Sequence, residues 1–201
     1  MTKAIIFDLG GVIIKPEGVT PKMIAQLFNI SIEQVFSVYT QGLEGKWSTG
    51  KITTSQIIEK LKAKFPIRKP TEVLVKNLQQ LYLYQTRVDP EILSLINELH
   101  KNYPVYLLTN TVDIHSQVNK KRGIYKHFDS VYESYLLGIK KPSKKIYELV
   151  LRDIKAQPSE CFFVDDRQEH ITGAKNACID AVLFISNKEL KQELQNRNIK
   201  F

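Results

Sequence analysis

Five short segments that are apolar almost throughout constrain the fold of this chain more than any other feature. They span residues 3–7, 104–109, 130–133, 161–164 and 181–185. Each is rich in Val, Ile, Leu, Phe or Tyr and lacks strict alternation. Strands covered on both faces in a parallel sheet read this way. From about residue 89 helical patterns fall between them. Asp89-Pro90 places an N-cap before a proline at the first helical position, and Ile92, Leu93, Ile96 and Leu99 follow at helical spacing. Ile146, Leu149, Val150 and Ile154 mark a second helix, opened by Ser143, and Ile171, Ala174 and Ala177 a third. Strand and helix in alternation imply an α/β fold with a doubly wound, Rossmann-like parallel sheet of five or more strands.

Residues 18–86 interrupt this order with four successive helical stretches. Thr20-Pro21 opens the first, and Ser31 to Gln34 fits a capping box for the second. Thr54 or Ser55 is expected to cap the third and Thr71 the fourth. The simplest account is a small helical bundle inserted after the first strand. The expected division is residues 1–17 and 87–201 for the sheet domain and 18–86 for the insertion.

The chain's 201 residues, 43% hydrophobic and 25% charged, suffice for one ordinary core with a small appended module. No apolar run is long enough to cross a bilayer, and the apolar start of the chain is too short for a signal peptide. A cytoplasmic protein without membrane association is expected, as a monomer or homodimer. Cys161 and Cys178 read as packed thiols rather than a disulfide or metal pair. The net charge of +8 is spread over scattered lysines, without zinc-finger spacing or a basic-aromatic signature, so no nucleic acid is expected as a partner.

Four sites stand at the ends of expected strands, where ligands bind in open α/β sheets. Asp8 follows Ala4-Ile5-Ile6-Phe7 and precedes Leu9-Gly10-Gly11, whose glycines permit tight turns and close ligand approach. Thr109-Asn110 offers a hydroxyl that can donate to a phosphate oxygen. Gly138-Ile139-Lys140-Lys141-Pro142 holds a lysine on a stiff segment. Asp165-Asp166 sets two carboxylates directly after an apolar strand, which is costly unless something positive balances them. A hard cation would do so. Each site alone is also compatible with an ordinary turn, cap or exposed side chain.

In this order, Asp, Thr, Lys-Pro and Asp-Asp, the sequence resembles the haloacid-dehalogenase-like (HAD) hydrolase superfamily over almost its whole length. The insertion resembles that superfamily's type I helical cap, and the stretch from Gly45-Lys46-Trp47-Ser48 to Ile57 resembles the cap of its sugar-phosphatase-like branch. The resemblance implies a magnesium-dependent phosphatase acting on a small phosphorylated metabolite, such as a sugar phosphate. It makes Asp8 the nucleophile, forming an aspartyl-phosphate. It assigns the phosphoryl oxygens to Thr109 and the backbone around Asn110, and the orienting cation to Lys141, with Lys140 as the fallback. Mg2+ would be held by Asp8, the Gly10 carbonyl and Asp166, with Asp165 as a second carboxylate near the ion. Lys46, Trp47 and Thr49 are candidates for contact with the leaving group; Trp47 equally suits the cap's core.

One position departs from the pattern. Phosphatases of the superfamily usually carry an acid–base aspartate two residues after the nucleophile, where this chain has Gly10. Such help is worth about 10²–10⁴-fold. Two alternatives follow: a phosphate-binding protein without turnover, or a 2-haloacid dehalogenase. The dehalogenase sits poorly with an Asp165-Asp166 pair beside Asp8 and with the absence of an aromatic residue after the nucleophile. His115 is a candidate substitute acid or an ordinary helix residue, and His170 either orients Asp166 or is exposed.

Overall fold

The structure is a computed structural model that describes residues 2–16, 21–39 and 42–201. Its centre is β1 (Ala4–Phe7), flanked by β4 (Val105–Thr109) and β6 (Cys161–Asp165). Outside these lie β5 (Ser130–Glu133) and β7 (Asp180–Leu183). All pair in parallel, in the order β5-β4-β1-β6-β7. The chain leaves β1, builds one half of the sheet and then crosses to build the other. The carboxyl ends of β1, β4 and β6 therefore meet at the point where strand order reverses. The expected strands agree with these to within two residues at either end.

Lack of alternation has a direct cause, because both faces of the sheet are buried. Ile5 and Phe7 point to one side, with Val105, Leu107, Phe162 and Val164. There α6 (Pro90–His100) contributes Ile92, Leu95, Ile96 and Leu99, and α11 (Asn187–Asn196) contributes Leu190 and Leu194. Ala4 and Ile6 point to the other side with Leu108 and Phe163. They meet Ile146, Tyr147 and Val150 of α9 (Lys144–Asp153) and Ile171 and Ala174 of α10 (Gln168–Asn176). A fully buried Ile or Phe stabilises by about 1.5–3 kcal/mol, so these two layers carry the domain.

The insertion consists of α1 (Pro21–Phe28), α2 (Ile32–Tyr39), α3 (Leu43–Ser48), α4 (Thr54–Lys64) and α5 (Thr71–Gln85). It has its own apolar centre, including Ile24, Val35, Trp47, Ile57, Leu61, Leu74 and Leu78. That centre also takes in Val112 and Ile114, which belong to the sheet side at and before α7 (Asp113–Lys121). Where the insertion meets the sheet, β2 (Ile14–Lys15) pairs antiparallel with β3 (Arg87–Val88). The remaining helix, α8 (Ser134–Leu137), follows β5 directly.

Local chemistry agrees with the sequence at several helix starts and corrects it at others. Asp89 accepts from the backbone N–H groups of Glu91 and Ile92 at 3.0 and 3.4 Å. Ser31 and Gln34 form the expected reciprocal box. The α4 cap is Thr53 rather than Thr54 or Ser55, because Gln56 sits three residues on and closes a capping box. Thr71 is the first residue of α5 behind Pro70, and its hydroxyl donates to Glu59 instead of capping. Cys161 is buried as expected, but Cys178 is exposed in a left-handed turn, and both are free thiols. The expected opening at Thr20 and the start of the insertion at residue 18 lie outside the described residues. No described helix is long and apolar enough to cross a membrane.

Candidate active site

The end of β1 delivers Asp8 into a nearly dry position, 4% exposed. Lys141 reaches it from the loop before α9. Its ammonium donates to Asp8 Oδ1 at 2.7 Å, Asp165 Oδ2 at 2.6 Å and the Leu108 carbonyl at 2.8 Å. This lysine, and not Lys140, is the one on Asp8; Lys140 lines the cavity above. Burial works against the Lys141 charge, but Asp8 and Asp165 outweigh it and hold its pKa above the usual lysine value. Burial likewise pushes the Asp8 carboxyl up to about 8, against the pull of Lys141 and with the Asp165 charge adding to it.

Asn110 positions the lysine. Lys141 N–H donates to Asn110 Oδ1 and Asn110 Nδ2 donates to the Lys141 carbonyl, both at 2.9 Å. The Asn110 side chain is thus spent on the loop. Thr109, 2% exposed, ends β4 and lines the cavity over Asp8. Gly173 of α10 lets the same loop lie close: a Cβ there would stand 2.5 Å from the Pro142 carbonyl oxygen.

The two adjacent carboxylates have separate surroundings. Asp165 is fully buried and takes Lys141, His170 Nδ1 at 2.9 Å and the Arg167 N–H at 2.9 Å. Burial opposes its charge, yet Lys141 and His170 prevail and keep its pKa below the ordinary aspartate value. Asp166 turns to the β1 loop. A Cβ on Gly11, at φ 70°, would fall 1.8 Å from Asp166 Oδ2, so the carboxylate fills the space that glycine leaves. His170 is 2% exposed and pairs with Asp165, which corrects both expectations for it.

Asp8, Asp165 and His170 present ligand atoms within 4.8 Å of one another. That trio is an ion-pair network in chemical terms. An ammonium already sits between its two carboxylates, and His170 Nδ1 is turned to Asp165. A further cation between them would have to displace Lys141. Asp166 lies instead against Gly11, on the loop that also carries Asp8 and Gly10, and its oxygens suit a small hard cation.

Above Asp8 lies a cavity of about 410 Å³. Its walls include Leu9, Phe36, Glu44, Trp47, Tyr82 and His115. Trp47 is 5% exposed and belongs both to the insertion's core and to the wall. Its Nε1 donates to Thr54 Oγ1 and Asp113 Oδ1, each at 3.1 Å. Lys46 is exposed and does not line the cavity, and the Thr49 hydroxyl is held by the Gly45 carbonyl at 2.7 Å. The cavity wall instead carries Trp47 and the unforeseen Glu44, Phe36 and Tyr82. His115 lies 4.1 Å, ring centroid to ring centroid, from Tyr82 in a near-parallel stack. Burial lowers its pKa to about 3, so it stands neutral and has no imidazolium proton to give near pH 7. Ser134 joins the two parts of the molecule below this wall, donating to the Ser48 carbonyl at 2.6 Å and accepting from Thr111 N–H at 3.0 Å.

A family model described as a haloacid dehalogenase-like hydrolase matches residues 2–177. The chain is 25% identical over 206 residues to D-ribitol-5-phosphate phosphatase of Bacteroides thetaiotaomicron, covering 96% of this chain and 97% of that protein. It is 26% identical over 211 residues to bifunctional epoxide hydrolase 2 of Sus scrofa, covering 96% of this chain but spanning only 38% of that protein's length. Among solved structures, a HAD family enzyme of B. thetaiotaomicron in complex with magnesium and inorganic phosphate superposes with a TM-score of 0.78 at 22% identity. The match covers 93% of this chain and 96% of that one.

Proposed function

The chain belongs to the haloacid dehalogenase-like hydrolases, and we propose that it hydrolyses phosphate monoesters of small molecules through an aspartyl-phosphate on Asp8. The observation that carries this reading is the Asp8–Lys141 contact at 2.7 Å on the floor of a cavity large enough for a metabolite. We take residues 18–86 as a cap over that cavity and the rest as the catalytic domain.

In the first step an Asp8 carboxylate oxygen bonds to phosphorus while the ester P–O bond breaks, its electron pair leaving with the alcohol oxygen. Lys141 holds Asp8 in place and offsets negative charge as the phosphoryl group arrives. Thr109 lines the cavity over Asp8, and we assign its hydroxyl to a phosphoryl oxygen. Water then attacks the aspartyl-phosphate, releasing inorganic phosphate and restoring the carboxylate. Asp8, the Gly10 carbonyl and Asp166 are the residues suited to hold Mg2+. When bound, the ion supplies positive charge that keeps Asp8 ionised and stabilises the transferring group. Asp165, already committed to Lys141 and His170, orients the lysine.

Phosphate release from a panel of monoesters, with and without Mg2+, tests the reading. Metal-dependent turnover that Asp8→Asn abolishes supports it; unchanged turnover in that variant refutes the mechanism. Gly10 favours one competing reading, a phosphate-binding protein without turnover. That reading fails if the wild type cleaves any ester catalytically.

A further inference from the structure

His170 has no part in the proposed chemistry, yet it is buried against the groups that do, in the first turn of α10. A buried imidazole is costly unless its nitrogens are matched. Nδ1 lies 2.9 and 3.0 Å from the two oxygens of Asp165. Lys141 and His170 keep that carboxyl ionised, and an ionised carboxylate only accepts, so Nδ1 carries a proton. Nε2 faces Asn110 Nδ2 at 3.4 Å. The Asn110 amide has one orientation, because its Oδ1 accepts from Lys141 N–H. One Nδ2 hydrogen goes to the Lys141 carbonyl, and the second is left for His170. Nε2 is therefore the acceptor of that pair. Glu169, 3.7 Å from Nε2, is half-exposed and drawn to Arg167 at 2.6 Å.

These contacts close a ring around the lysine. Asp165 holds the Lys141 ammonium at 2.6 Å, Asn110 holds the Lys141 backbone, and His170 touches both holders. The His170 backbone is itself fixed from α9, whose Tyr147 hydroxyl donates to its carbonyl at 2.7 Å. Asp165 meets Lys141 through Oδ2, and the Arg167 N–H and His170 through Oδ1. A carboxylate gripped at both oxygens cannot rotate. Without the imidazole, Oδ1 keeps the Arg167 N–H alone in this network.

From this ring we infer that His170 is a positioning residue of the reaction: it fixes Asp165 and, with Asn110, holds the Lys141 ammonium at Asp8. It transfers no proton in this role. The inference rests on the phosphatase reading above and adds a residue to it.

Substitutions at this position separate positioning from packing. His170→Asn sets an amide near the place of Nδ1 and still donates to Asp165. His170→Leu fills similar space without a donor, and His170→Gln carries its amide out toward the place of Nε2. On the monoester that the wild type cleaves best, kcat should fall about 10–100-fold in His170→Leu and His170→Gln, the scale of losing a group that orients a site residue. KM should change less than about threefold, because the lost contact acts on the chemical step. His170→Asn should stay within about fivefold of the wild type, the worth of its one missing neutral contact to Asn110. Assays run well below the lowest melting temperature keep stability out of the comparison, and His170→Gln replaces His170→Leu if the leucine variant does not fold. Equal losses in the asparagine and glutamine variants, or losses that track melting temperature, overturn the inference and leave the phosphatase reading intact. If the wild type cleaves no monoester, the phosphatase reading falls, and binding decides the ring. Inorganic phosphate with Mg2+ should then bind His170→Gln about 10-fold or more weakly than His170→Asn, as expected when a charged donor is misplaced. Equal affinity overturns the inference.

Discussion

Lys141 Nζ lies 2.7 Å from Asp8 Oδ1 although 133 residues separate them in the chain. The same ammonium holds Asp165, and its side chain is wholly buried. Removing it leaves Asp8 without its ammonium and Asp165 with His170 as its remaining side-chain partner in this network. Breaking a buried pair from one side costs about 3–5 kcal/mol. Lys141→Ala should therefore lower the denaturation midpoint in proportion and abolish turnover. A variant with wild-type stability would show that the lysine does not carry the balance of charge here.

Asp8→Asn has the opposite sign for stability. Burial disfavours the Asp8 charge enough to raise its carboxyl to about 8. The amide is nearly isosteric and neutral, so it removes that cost while Lys141 keeps Asp165. The melting temperature should hold or rise by a few degrees, with phosphate release lost by three orders of magnitude or more, about the scale of removing a nucleophile. A large drop in melting temperature would mean that Asp8 is structural.

Much of this geometry was legible in the sequence, and the gaps have physical reasons. The ends of β1, β4 and β6 were readable because each polar residue follows an apolar run that can only be a buried strand. The local residues alone do not divide Asp165 from Asp166; only the family resemblance put Asp166 first at the metal. Neighbours in a strand end point to opposite sides, and the local sequence is symmetric; only Lys141, His170 and Gly11, distant in the chain, decide it. For the lysine the resemblance named Lys141 with Lys140 as the fallback, and it is Lys141 whose ammonium meets Asp8, on a loop that Asn110 fixes through paired bonds. The helix α7 escaped notice because its apolar residues, Ile114 and Val118, are few among polar ones. The β2–β3 pair is two residues on each side, too short for any pattern to declare it.

Gly11 should tolerate no side chain. Its φ of 70° strains any Cβ, and that atom would stand 1.8 Å from Asp166 Oδ2. Gly11→Ala is expected to displace the Asp166 carboxylate. The magnesium concentration for half-maximal activity should rise by about 10-fold or more, the scale seen when a metal site's support is disturbed. An unchanged magnesium dependence would remove Asp166 from the proposed metal site.

Asp113 fastens the proposed cap to the sheet domain, accepting from Trp47 Nε1 and Thr54 N–H at 3.1 Å each and from the Thr54 hydroxyl. Asp113→Ala leaves these buried donors with fewer acceptors, at a cost of about 1–3 kcal/mol. Because Trp47 lines the cavity, KM should rise more than kcat falls. A pure loss of kcat at constant KM would place the effect on the chemistry rather than on the wall.

His115 supplies a pH dependence whose sign can be worked out. Its pKa falls from 6.5 to about 3 on folding, because burial against Tyr82 disfavours the imidazolium. Between these values the unfolded chain binds the proton and the folded chain does not. Stability contributed by the neutral ring is therefore full above about pH 7 and declines as pH falls through the unfolded value. Asp8, raised to about 8 in the fold, binds its proton over the same range and acts in the opposite sense, in the wild type and in a His115→Gln variant alike. The mark of His115 is therefore a wild-type melting temperature that declines between pH about 7 and about 5 relative to that variant. His115→Gln cannot take up a proton, so the difference in slope holds even if its melting temperature at pH about 7 is lower. Parallel curves for the two proteins would show that His115 is charged in the fold. Its stack on Tyr82 would then be a cationic contact at the cavity wall rather than a neutral one.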